Sequence, residues 1–194
     1  EAVERYAKSE EFNEVLSLLR KTGHDKGKLL DVGAGNGIAS YAFASQGYEV
    51  YALEPDSSAV VGSGAIKKII NEKGVSICLL EGYGEKIDLP SNTIDVVFAR
   101  QVLHHASSLD KMCQEIYRLL RPGGSFLAIR EHVISNTDDL EEFLLNHPVH
   151  HMYGGENAYT LKQYRNAIQG AGFTALEVME PFETVINYAP LTKD

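Results

Sequence analysis

From Lys28 to Arg130, short apolar runs alternate with stretches whose apolar residues recur every three or four positions. The short runs are Lys28–Val32, Tyr48–Leu53, Val75–Leu80, Ile94–Ala99 and Ser125–Arg130. Their length and lack of polar alternation predict strands buried on both faces. Residues 36–46 predict a helix with Ile38, Tyr41 and Ala42 facing inward and Gly47 as its stop. A second helix is expected from Ser57 or Ser58 to about Asn71, weakened by Gly62 and Gly64. Met112, Ile116, Leu119 and Leu120 mark a third, which ends before Pro122-Gly123-Gly124. Ahead of the first strand, Phe12, Val15, Leu16 and Leu19 predict an amphipathic helix over residues 9–22, closed by Gly23. This alternation predicts an α/β fold, a Rossmann-like doubly wound sheet with helices on both faces.

The rhythm breaks at residue 131. Leu140, Phe143 and Leu144 share one face of a short predicted helix, Asp138–Asn146, with acids in its first turn. His147 and His151 are four apart, a spacing that would put two imidazoles on one helical face as metal ligands. Pro148 lies between them and argues against one continuous helix. Gly154-Gly155 would let the segment move as a lid. Thr160 and Gln163 form a capping box for a helix to about Gly170, and Gly172 suits a left-handed turn after it. Two strand-like runs follow, Ala175–Met179 and Thr184–Tyr188. No repeat or linker divides the chain, so residues 1–194 read as one domain with an insert at about 131–160.

Composition narrows the function classes. The 194 residues are 44% apolar and 23% charged, the profile of a globular protein, and no apolar run has the length of a membrane span. A net charge of −9 argues against a large nucleic-acid footprint, which needs a basic face. No secretory signal is legible, although the chain starts at Glu1 and not at a methionine. Cys78 and Cys113 make neither a disulfide framework nor a zinc spacing and read as small core residues. A cytoplasmic protein, monomeric or homodimeric, is the expectation.

The chemistry concentrates in Leu29–Gly37, LLDVGAGNG. An apolar strand ends in Asp31, and Gly33, Ala34, Gly35, Asn36 and Gly37 turn the chain into a helix. Such a turn receives nucleotide-like cofactors. A dinucleotide loop wants a third glycine where Ile38 stands. Asp31 beneath the loop suits a ligand with a positive amino group better than a pyrophosphate. Glu54 ends the second strand, where an acid can accept both ribose hydroxyls of a nucleoside. Each acid alone could equally be a loop brace or a solvated strand end.

Four blocks in this order, LLDVGAGNG (29–37), ALEPD (52–56), EGYGEKIDLPSNTIDVVFARQVLHH (81–105) and IYRLLRPGGSFLAI (116–129), resemble class I S-adenosylmethionine-dependent methyltransferases acting on small molecules. The likeness runs from about Lys28 to Val133 and, more loosely, through Thr160–Val178. It implies a sheet of seven strands, the last antiparallel to the rest. It implies S-adenosylmethionine across the C-terminal strand ends, with S-adenosylhomocysteine as product. Asp31, Gly33, Ala34, Gly35 and Asn36 would serve the methionine end, Glu54 and Pro55 the ribose, and Tyr83, Gly84 and Glu85 the adenine. The chain departs from the family at Tyr83, where an acid is frequent, and at Gly84, where alanine is common. Arg100 to His105 fall beside the expected sulfonium and acceptor.

Methyl transfer from a sulfonium is an in-line displacement that positioning can largely catalyse. A base is needed only if the acceptor must lose a proton. The candidates are His104 and His105 after strand four and Glu131 and His132 after strand five, with His105 first and His132 second; a helix-start or packing histidine is the competing reading of His105. No metal is assigned, and the histidines of 131–160, with Tyr153, Tyr159 and the Glu156-Asn157 pair, read as acceptor lining or as surface. Ala99-Arg100-Gln101-Val102 is not the [Asp/Asn]-Pro-Pro-[Tyr/Phe] of base amino methylation, and the Pro-Cys of cytosine C5 methylation is missing after that strand. The expected partner is a small-molecule acceptor. The rival classes are a nicotinamide oxidoreductase and a non-catalytic cofactor-binding module.

Overall fold

Five of the apolar runs pair in parallel, in the order β3-β2-β1-β4-β5. The computed structural model describes residues 1–153 and 155–189. Its elements are α1 (Ala2–Ala7), α2 (Glu10–Lys21), β1 (Lys28–Val32), α3 (Ile38–Ser45), β2 (Glu49–Leu53), α4 (Ser63–Lys73), β3 (Ile77–Leu80), β4 (Ile94–Arg100), α5 (Leu109–Leu119), β5 (Leu120–Ile129), β6 (Val133–Ile134), α6 (Leu140–Asn146), α7 (Pro148–Tyr153), β7 (Tyr159–Thr160), α8 (Leu161–Ala171) and α9 (Val185–Tyr188). β1 pairs with β2 on one side and β4 on the other, so the chain reverses its direction of winding at β1. That switch point leaves a crevice beyond the carboxyl ends of the strands.

Both sheet faces are buried, as the continuous apolar runs predict. Leu30, Val32, Val97 and Ala99 point into a core completed by Leu109, Met112, Cys113, Ile116 and Leu119 of α5 and by Tyr164 and Ala167 of α8. Leu29, Val96 and Phe98 point the other way, onto Phe12, Val15, Leu16 and Leu19 of α2 and Phe43 of α3. Phe43 meets Phe12 and Phe98 edge-on, each at a centroid distance of 5.0 Å, a geometry that adds to area burial. α2 starts where Ser9 accepts the Phe12 amide at 3.1 Å, and α8 starts at the Thr160–Gln163 capping box.

Several expectations change. The main sheet has five strands, not seven, and every pair among the described residues is parallel. The run Ala175–Met179 has no ladder, and Val185–Tyr188 is a helix whose Thr184 hydroxyl accepts the Ile186 amide. Pro181 separates the two runs and has no N–H to extend a sheet. α4 starts at Ser63, not at Ser57 or Ser58, because 56–62 folds back on itself: a Cβ on Gly62 would stand 2.2 Å from the Asp56 carbonyl oxygen. Cys78 is exposed, since β3 is the sheet edge; Cys113 is buried as expected. No helix among the described residues is long and apolar enough to cross a membrane.

Beyond β5 the insert builds a second, two-stranded sheet, β6 with β7, and the helices α6 and α7. Pro148 opens α7 instead of interrupting a helix, a position where its missing N–H has no intrahelical partner to lose. The proposed glycine hinge falls partly on Gly154, which lies outside the described residues.

Candidate functional site

The crevice at the switch point is a cleft of ≈ 120 Å³ that gathers Val32 and Gly33 at the end of β1, Leu53 and Pro55 at the end of β2, Tyr83, Gly84 and Glu85 after β3, and Val102 and His105 after β4. A wider, shallower hollow of ≈ 780 Å³ lies along α6 and α7 and carries none of these strand-end residues. Gly33 is required by the cleft. Its φ is +64°, and a Cβ there would stand 2.2 Å from a methyl of Val102. Gly84, where the family pattern has alanine, is pressed by Met112: a Cβ would stand 2.1 Å from its terminal carbon. Tyr83 is 70% exposed at the mouth, with its ring free to cover a ligand.

Three carboxylates fix the loops around this cleft. Glu54, buried at the end of β2, accepts the Gly35 amide at 2.7 Å with one oxygen and the Asp56 amide at 2.9 Å with the other. It therefore ties the glycine loop to the β2 end while keeping spare lone pairs. Glu85 accepts the Ser107 amide at 2.7 Å and the Ser108 amide at 3.3 Å, ahead of α5. Glu131 accepts the amides of Val102, Leu103 and His104 at 3.0, 3.1 and 3.2 Å, organising the 3-10 turn Leu103–His105. The sequence marks Glu54 and Glu85 as cofactor residues and Glu131 as a candidate base after the fifth strand; the structure makes Glu131 a cap for these amides. Its capping role has no local signal, because the amides it serves are almost thirty residues away in sequence.

Asp31 lies under the loop instead of on the cleft wall. It is 2% exposed, and Ser40 donates to it at 2.5 Å. Burial pushes its carboxyl up to about 7 from the ordinary 3.8, against the opposing Ser40 hydrogen bond and with help from the Glu54 charge. The folded state then holds a proton that the unfolded state has released between pH 3.8 and about 7. Stability of the ligand-free protein is therefore expected to fall as pH rises through that window, and to level off above it. Thermal melting from about pH 5 to about pH 8 checks this. Asp31→Asn, which cannot ionise, should flatten the dependence.

The remaining candidates divide. Ala34 and Gly35 are half-buried and Asn36 is exposed on the loop. His105 is exposed, lines the cleft, and its Nδ1 lies 3.1 Å from the Gly155 carbonyl oxygen. If Nδ1 carries the donated proton, Nε2 is the basic nitrogen. Arg100 is not brought to the cleft: its guanidinium is tied to Glu11 at 2.7 Å and lies 5.7 Å from the Tyr6 ring. His132 stacks on His104 at 4.0 Å, away from the cleft lining, and burial, followed by the His104 charge, lowers its pKa. His147 and His151 are not a pair. His147 ends α6 with its ring 4.9 Å from that of His132, while His151 turns to the Leu145 carbonyl oxygen.

Residues 30–128, half of the chain, match the family model described as a methyltransferase domain. The chain belongs to this family. Its sequence blocks and its switch-point sheet order are those of the class I S-adenosylmethionine-dependent methyltransferase family. An uncharacterized methyltransferase YcgJ of Bacillus subtilis is 29% identical over 69% of this chain and 52% of its own length. The sterol 24-C-methyltransferase ERG6 of Saccharomyces cerevisiae is 29% identical over 97% of this chain and 52% of its own. The chain thus spans about half the length of these two relatives. Among solved structures, a Haemonchus contortus phosphoethanolamine N-methyltransferase with S-adenosylhomocysteine bound shares the fold at a TM-score of 0.63 and 24% identity, covering 84% of this chain and 37% of that one.

Proposed function

We propose that this methyltransferase moves a methyl group to a small-molecule acceptor at the mouth of the switch-point cleft. The observation that carries this is the convergence of Gly33, Pro55, Tyr83, Gly84, Glu85 and His105 on one cleft, with the buried Glu54 bracing its loop. The residues fit the cofactor. Gly33 leaves space that a Cβ would take from Val102, and Glu54 presents a fixed carboxylate at the end of β2, where a ribose is received. Glu54 would accept the ribose hydroxyls, and Tyr83 would cover the adenine. Asp31, through the loop above it, would favour the amino group of the methionine end. S-adenosylmethionine supplies a methyl activated by a positive sulfur, with a neutral leaving group.

The protein's work is therefore mostly orientation and exclusion of water. Val32, Leu53, Val102 and Met112 make the apolar wall that disfavours solvent beside the reacting centre. His105, held through Nδ1 by the Gly155 carbonyl, would take the acceptor's proton if one must leave. The sterol and phosphoethanolamine names of relatives span carbon and nitrogen acceptors, so those names do not choose among them. The acid-rich chain and the polar, histidine-bearing insert favour a polar small molecule over a nucleic acid. A cytoplasmic setting fits the free thiols of Cys78 and Cys113.

The test uses His105→Gln with labelled S-adenosylmethionine and a panel of amine, hydroxyl and carbon acceptors. Transfer is expected in the parent protein. In the variant, S-adenosylhomocysteine affinity should hold while turnover falls by roughly a hundredfold for an acceptor that must lose a proton. Unchanged turnover at every pH would remove His105 from the chemistry.

A further inference from the structure

His104, His132 and Glu156 converge from three separate segments: the 3-10 turn after β4, the start of the insert, and its end before β7. Their ligand atoms all lie within 4.8 Å of one another. Glu156 Oε2 stands 3.6 Å from His104 Nε2 and 3.5 Å from His132 Nδ1. The Glu156 side chain is only 8% exposed, yet this oxygen has no hydrogen-bond partner among the described residues. A buried carboxylate oxygen in that condition is costly, unless something positive completes it.

Two features say what completes it. First, His104 is already oriented as an outer-shell carboxylate orients a metal-binding imidazole: its Nδ1 lies 2.7 Å from Glu131 Oε2, and with the ring proton on Nδ1 the lone pair of Nε2 faces Glu156. Second, the spacings suit one ion. Donors about 2.1 Å from a tetrahedral ion are separated by about 3.4 Å, close to the two distances from Glu156 Oε2. A direct ion pair between His104 and Glu156 would be closer, near 2.8 Å. His132 Nδ1 also lies 3.3 Å from the Asn157 carbonyl oxygen; coordination would replace that contact, with the ring proton carried on Nε2 instead. The rings of Phe143 and His147, 5.2 and 4.9 Å from His132, wall the site.

We propose that His104, His132 and Glu156 bind one divalent first-row transition ion, with Glu131 as the positioning carboxylate behind His104. Two imidazoles and one carboxylate suit zinc, iron or manganese and leave a coordination position open. The site adjoins the cleft, because the ring of His105, which lines the cleft, lies 4.2 Å from that of His104. The proposal stands apart from the methyl-transfer reading and is measured without cofactor.

Chelator-stripped protein is titrated with Co²⁺, followed by its visible d–d absorption, and then with Zn²⁺. One Co²⁺ per chain is expected, displaced by stoichiometric Zn²⁺, with a rise in melting temperature. Glu156→Gln preserves shape and should weaken binding at least tenfold. Glu131→Gln should weaken it by roughly ten- to a hundredfold. His151→Ala, outside the cluster, should bind as the parent does. No Co²⁺ spectrum and no uptake by the parent protein would overturn the proposal whatever the variants do. Uptake that Glu156→Gln leaves unchanged would overturn it too. Melting curves and S-adenosylhomocysteine calorimetry on the same samples separate a misfolded variant, or a failed cofactor site, from a lost metal site.

Discussion

Glu54→Ala is expected to weaken S-adenosylhomocysteine binding by at least tenfold, about 1.4 kcal/mol or more. Two losses combine. The Gly35 and Asp56 amides lose their shared acceptor, so the glycine loop is no longer tied to the end of β2. A buried amide left without a partner costs about 1–3 kcal/mol, and these part-buried ones less. The ribose also loses the acceptor that the fold reading assigns to it. Glu54→Gln separates the two: its single carbonyl oxygen can keep one amide bond, so stability should recover more than affinity does. Urea denaturation of the ligand-free variants gives the first quantity and calorimetry the second. A variant that loses stability but binds S-adenosylhomocysteine as the parent does would make Glu54 a brace only.

The other large effect lies on the far side of the sheet. Glu11 is 5% exposed and carries two arginines, Arg100 at 2.7 Å and Arg130 at 2.9 Å. Both arginines sit at strand ends, where Gln101 and Arg130 turn through positive φ of 55° and 59°. Left-handed backbone at such residues persists only when its surroundings hold it. Removing the carboxylate strands two partly buried guanidiniums, and breaking such a pair costs about 3–5 kcal/mol when burial is complete. The arginine side chains are 31% and 22% exposed, so Glu11→Ala is expected toward the lower end, about 3 kcal/mol, by urea denaturation. Arg100→Ala should likewise lower stability while leaving S-adenosylhomocysteine affinity within about threefold, less than 0.7 kcal/mol. A large affinity loss at constant stability would restore Arg100 to the cofactor site.

What could be read from the sequence follows from where each signal is local. β1, α3 and β2 are legible because a buried strand, a glycine turn and an amphipathic helix each carry a periodic or compositional mark within a dozen residues. Glu54 was legible as a strand end, and the Thr160–Gln163 capping box as a short motif. Thr184–Tyr188 reads as a strand because so short a run fits a strand or one helical turn, and the Thr184 cap decides for the helix. Cys78 reads as a core residue because edge position belongs to the sheet order, which its neighbours in sequence do not encode. The Glu11–Arg100–Arg130 network and the His104–His132–Glu156 cluster draw on segments far apart in the chain. The i,i+4 histidines are the local signal there, and the fold takes them apart.

Calorimetric titration of the protein with S-adenosylmethionine, S-adenosylhomocysteine and NAD, each against the parent and Glu54→Ala, tests the central claim most directly. The switch-point cleft predicts saturable binding of the two sulfur ligands at one site per chain, weakened in the variant, with no heat from NAD. Binding of NAD with no response to either sulfur ligand would contradict it.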